Sequence, residues 1–219
     1  MRYSLIRALT LAGVIAAASA ALHADTIYSD FGDGGSYDPD AGDVVSASVD
    51  LRPSFAFSTA VDMVLTEVDF VTSIGVSTDV NQVTVSLSSD AGGHPGTLLA
   101  SQEFDNAMGI LGGETDDPPD GPQILSWLPS TPLDLLAGVT YWITFDGPAP
   151  GDVTWNYNNM LQSGYSEIVS GDWQATNGTL GAIQISGDIA NQDPAAPEPR
   201  TILLLGLGLI AMSRLKRRN

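Results

Sequence analysis

Apolar and polar residues alternate with a period of two along most of the chain, in short stretches separated by Gly, Pro, Asp and Asn. Gln82-Val83-Thr84-Val85-Ser86-Leu87-Ser88 follows the rule a half-buried strand obeys, with every second side chain turned inward. Val61–Val71 contains a second such stretch, with Leu65, Val68 and Phe70 as core candidates. Val139–Phe145 is a third and puts Tyr141, Ile143 and Phe145 on one face, leaving Trp142 on the other. Val153–Tyr157 and Gly181–Gly187 complete the clear cases, the latter with Ile183 and Ile185 inward. Further strands are expected at Val44–Val49, Ser54–Ser58, Thr97–Phe104 and Ile124–Leu128, and Leu133–Gly138 reads as a strand and corner. No long segment carries a helical period. Short strands at this spacing predict an all-β fold, an antiparallel β-sandwich of jelly-roll type.

The two ends break the pattern. Arg2 and Arg7 precede an apolar run, Ala8–Ala18, and small residues follow. This is the layout of a secretory leader, with cleavage after Ala20 or Ala24. The strand-like acidic chain starts at Asp25, which favours Ala24. At the other end Asn191–Pro199 is a Pro/Ala linker too poor in apolar groups to pack. Ile202–Met212 is an apolar run of 11 residues, and Arg214, Lys216, Arg217 and Arg218 follow it. A membrane-spanning helix needs about 20 apolar residues, so this short transmembrane helix is a weak anchor. Its basic flank would stay cytoplasmic. The expected organisation is therefore a signal peptide (1–24), a sandwich ectodomain (25–190), a linker (191–200), and a hydrophobic helix with a basic tail (201–219).

Charge narrows the partners. All 26 acidic residues lie between Asp25 and Glu198, and Arg52 is the sole Arg or Lys between Asp25 and Pro197. Such a surface repels nucleic acid and keeps an exported domain soluble. Cys is absent, which excludes disulfides, thiol nucleophiles and thiolate metal sites. Beyond the leader the only histidine is His94, in the turn-forming segment Asp90–Gly96, so a Ser-His-Asp triad would depend on it.

Pro197-Glu198-Pro199, the apolar run and the Arg-rich terminus, in that order and behind a secretion leader, resemble the PEP-CTERM sorting signal of Gram-negative bacteria. The resemblance implies recognition by a membrane exosortase after passage through the Sec translocon. It also implies membrane attachment, transient or retained, then release to the cell surface or beyond, and a link to exopolysaccharide or biofilm. A second resemblance rests on Val83–Ser88 followed by Ser89–Ala100, on Leu133–Phe145 and on Trp155-Asn156-Tyr157. Over roughly residues 45–187 these are similar to the choice-of-anchor R type of bacterial surface domain, which implies a β-sandwich and no assigned chemistry.

Two candidate sites stand out. Asp30, Asp33, Asp38, Asp40 and Asp43 crowd one Gly-rich segment. Ca²⁺ takes about six to eight oxygen ligands from carboxylates and carbonyls on flexible backbone, which such a segment supplies, though without the EF-hand spacing. No other cofactor is called for. The acids Glu114, Asp116, Asp117 and Asp120 around Pro118-Pro119 read as an extended surface loop. Trp142, on the outer face of its strand, and Trp173, in a Gly-Asp loop, are candidates for stacking on sugar rings, against the alternative that aromatics fill the core. The sequence thus predicts a non-enzymatic exported surface or matrix protein, with a carbohydrate- or calcium-binding module as the alternative.

Overall fold

The computed structural model describes residues 24–76, 78–113, 121–169 and 172–190; the leader, the linker with Pro197-Glu198-Pro199, the apolar run, the basic residues Arg214, Lys216, Arg217 and Arg218, and the acids at 114–120 lie outside them. In chain order the strands are β1 (Asp25–Ser29), β2 (Tyr37–Val45), β3 (Arg52–Ser58), β4 (Met63–Ile74), β5 (Gln82–Asp90), β6 (Pro95–Asp105), β7 (Gly109–Ile110), β8 (Gln123–Trp127), β9 (Leu133–Leu135), β10 (Thr140–Asp146), β11 (Val153–Asn158), β12 (Ser163–Val169), β13 (Asp172–Thr179) and β14 (Ile183–Ile189). No helix occurs among the described residues.

The strands form two sheets. The first runs β1-β14-β4-β11-β2, and the second runs β13-β12-β3-β10-β5-β6. Pairing between strands is antiparallel except for the short parallel contact of β4 with β7. The twelve-residue β4 is the spine of the first sheet. Along one side it pairs with β14 as far as Phe70 and with β11 from Thr72 onward. Along the other it takes β9, β8 and β7 in turn.

Alternation sends one face of each sheet into a shared core. Val83, Val85 and Leu87 of β5, Tyr141, Ile143 and Phe145 of β10, and Ile183 and Ile185 of β14 are all buried, as their period predicts. Leu65, Val68 and Phe70 are buried too, although an odd and two even positions cannot share one face of a regular strand. A bulge resolves this. Ser186 pairs with Glu67 and Gly187 with Leu65, so Thr66 is the extra residue and the strand changes parity there. At the centre the Phe145 ring lies 4.4 Å from that of Trp155 and 5.3 Å from that of Phe70. Each such side chain contributes about 1.5–3 kcal/mol through burial, and with no disulfide this core holds the fold.

Two segments depart from expectation. The strand expected at Val44–Val49 begins at Tyr37 instead and ends at Val45, with a turn over residues 47–50. Residues around Trp173 form not a loop but the hairpin β12–β13, joined through Ile168 opposite Trp173 and Tyr165 opposite Thr176. Strands β1 and β14 pair side by side, Asp25 opposite Gly187, so the first and last strands of the domain end at one edge.

Candidate functional site

The acidic segment does not close around one point. Asp30, at the end of β1, is fully buried and continues the pairing with β14: its N–H donates to the Ile183 carbonyl (3.1 Å) and its Oδ1 accepts the Ile183 N–H (2.7 Å). Its Oδ2 has no hydrogen-bond partner. Burial pushes the carboxyl up to about 7, against the opposing pull of the Ile183 N–H. The Tyr28 hydroxyl is raised in turn, by burial first and by the Asp30 charge second. Asp33 is exposed in the turn closed by the Gly32–Ser36 bridge. Asp38 spends Oδ1 on the N–H of Asp40 (2.9 Å), a local Asx turn. Asp43 accepts the Tyr157 hydroxyl (2.9 Å). Burial raises the Asp43 carboxyl while Tyr165 and Tyr157 pull it down, and Glu167 is raised by burial and by the Asp43 charge.

The acids expected to bind Ca²⁺ are thus held in separate local bonds. Among the described residues no three of the His, Asp and Glu side chains are placed to hold a metal ion. The reason is β2: what reads as a ligand-rich loop is a strand, so Asp38, Asp40 and Asp43 are spread along it while Asp30 is drawn inside. The strand is kept in place by a residue the sequence reading passed over. Asn156 of β11 is fully buried, accepts the Ser73 hydroxyl (2.8 Å) and donates to the carbonyls of Asp38 (3.2 Å) and Pro39 (3.5 Å). It lies on the face of β11 opposite the core residues Val153 and Trp155, so alternation marks it as outward, and only the covering contacts with β2 and Ser73 show that it is buried with its polar atoms partnered.

The two candidate tryptophans sit in different settings. Trp142 does lie on the outer face of β10, but it is only 5% exposed and its indole N–H donates to Asp90 Oδ1 at 2.8 Å. Asp90 also accepts the N–H groups of Gly92 (2.9 Å) and Gly93 (3.0 Å), so one carboxylate ties Trp142 to the β5–β6 turn. These bonds, the Trp142 one foremost, hold its carboxyl below the ordinary range. Neither ring face of Trp142 is free for a sugar. Trp173 is half-buried on the edge strand β13, and Trp127 and Trp155 belong to the core. His94 sits half-buried in the β5–β6 turn, its Nδ1 buried and unpartnered.

A groove lies instead on the outer face of the first sheet. Its volume is about 290 Å³, and its lining includes Ser29, Asp69 and Gln184 with Phe31, Ile124 and the glycines Gly32 and Gly35. The polar lining falls on one rung across the sheet: Ser29 is opposite Gln184, Gln184 opposite Asp69, and Asp69 opposite Ser126. Asp69 Oδ1 accepts the Ser126 hydroxyl and Oδ2 the Gln184 amide. The turn at Gly32–Ser36 walls the groove, and a Cβ on Gly32 would meet the Asn159 amide oxygen at 2.3 Å, so a larger residue there would have to displace that side chain. Neither protein-family models nor curated proteins give a match to this chain.

Proposed function

We propose that this chain is an exported, non-enzymatic surface or matrix protein, in which a PEP-CTERM-like tail delivers an acidic β-sandwich to the cell exterior through an exosortase. The observation that carries the reading is the order of segments: a leader ahead of the acidic domain, then a Pro-rich linker, a short apolar run and a basic terminus. The fold is compatible with it. Because Asp25 of β1 and Gly187 of β14 are neighbours, the two ends of the described sandwich, which the leader and the linker adjoin in sequence, lie at one edge. The chain passes repeatedly between the two sheets, as between β2 and β3, β4 and β5, or β10 and β11, which supports a jelly-roll-like winding. The acidic surface suits an environment outside the cell and disfavours anionic partners.

The test replaces Pro197, Glu198 and Pro199 together by alanine in the native host and follows the chain by fractionation. The reading expects the parent chain at the surface or in the medium and the variant held in the inner membrane. Equal distribution of the two, or a parent confined to the cytoplasm, would overturn it.

A further inference from the structure

We propose that the groove on the outer face of the first sheet binds neutral saccharide. Resting on the reading of an exported domain, this adds a ligand on the first sheet, whereas Trp142 and Trp173, the candidates for sugar stacking, belong to strands of the second. The floor follows the rung Ser29–Gln184–Asp69 across β1, β14 and β4, and Ser126 of β8, bonded to Asp69, continues that rung beyond the groove. Four strands span about three spacings, or about 14 Å, the scale of a short oligosaccharide lying across the sheet. The rung presents a carboxylate, an amide and two hydroxyls in one line, a set that can accept from and donate to adjacent ring hydroxyls. Asp69 is held from both sides, by Ser126 and by Gln184, so its remaining lone pairs are aimed before any ligand arrives. Beside this polar row stand Phe31, half-buried, and Ile124, 46% exposed. The C–H face of a sugar ring packs on such apolar surface while its hydroxyls turn to the rung.

Charge selects among sugars. Arg52 is the only Arg or Lys among the described residues, and it lies on β3 in the other sheet, bonded to Asp50. Among those residues no cation is available at the groove to neutralise a uronate, sulfate or phosphate, and Asp69 repels all three. A volume of about 290 Å³ falls at the small end of ligand sites, about 300–1,000 Å³, so one ring is seated and the neighbouring rings lie along the rung.

The experiment is affinity gel electrophoresis of the full-length exported chain through gels containing dextran, mannan, galactan or xylan, with alginate as the acidic comparison. Retardation is expected in at least one neutral polymer and not in alginate. Phe31→Ala and Asp69→Ala are each expected to weaken it tenfold or more, whereas Trp173→Ala leaves it intact. Because Phe31 also touches Tyr37, its ring centroid 6.5 Å away, Ile124→Asp provides a second variant that alters only the exposed wall. Mobility unchanged in all four neutral polymers overturns the proposal, as does retardation that survives both Asp69→Ala and Ile124→Asp, or retardation by alginate alone. Export is scored separately by fractionation: an exported chain that binds nothing sinks this site alone, and a chain that binds but stays inside sinks the sorting reading alone.

Discussion

Replacing Asp30 by Asn should make the domain more stable at neutral pH. Asp30 is fully buried, one oxygen is bonded to the Ile183 N–H and the other has no partner. Burial moves its carboxyl from 3.8 to about 7. Below 3.8 the group is protonated in both states and contributes no pH dependence. Between 3.8 and about 7 the unfolded chain ionises while the folded chain keeps its proton, so stability falls as pH rises. The fall is about 1.4 kcal/mol per pH unit, and over this window it reaches about 4 kcal/mol. An Asn side chain keeps the acceptor for Ile183 and removes the charge. Its new N–H₂ donors at the unpartnered position cost about 1–3 kcal/mol of that gain. Urea unfolding of the parent and of the Asp30→Asn variant between pH 4 and 8.5 is the assay. The parent should lose stability steadily from pH 4 to 7. The variant should lose less, and the difference between the two should grow in the variant's favour by roughly 2–4 kcal/mol across that range. The variant's curve still declines, because burial also raises Asp43, Asp146 and Glu167. Parallel curves, or a parent that gains stability from pH 4 to 7, would refute the reasoning.

Gly181→Ala should destabilise by about 2–4 kcal/mol in urea unfolding, because the added Cβ would lie 2.1 Å from the ring of the fully buried Trp155. Asn156→Leu should cost about 2–4 kcal/mol by stranding Ser73 and two β2 carbonyls, and hydrogen exchange should rise first in β2. Asp90→Ala should lower the melting temperature and alter Trp142 fluorescence, since the indole N–H loses its acceptor. The Asp90 carboxyl is lowered in the fold, so its stabilisation is present above the unfolded value and fades as pH falls. The loss in this variant should accordingly be larger at pH 7 than at pH 3.

Period-two patterning exposed the strands whose two faces differ. β5, β10 and β14 have one face in the core, and their alternation marks the inward residues directly. It failed where burial is one-sided in other ways. β2 carries Asp38, Pro39, Asp40, Gly42 and Asp43, a composition typical of turns; it is a strand because Asn156 and the β11 ladder supply partners for its backbone. β13 is an edge strand of Gln, Thr, Asn and Gly, so it has little apolar surface to betray it. Alternation puts Trp142 on the outer face of β10 but cannot say whether that face is covered; long-range contact with Asp90 decides it. The groove was invisible for the same reason. Ser29, Asp69, Ser126 and Gln184 are ordinary polar residues far apart in the chain, and only strand register aligns them.

The central claim is that the chain is addressed to the exterior by its two ends. Intact-mass spectrometry of the protein recovered from the native host's surface and medium tests it most directly. The account predicts a product that begins at Asp25 and has lost the apolar run and basic terminus after the Pro197-Glu198-Pro199 motif. Recovery of the chain from the cytoplasm with leader and tail uncut, and none of it outside the cell, would contradict it.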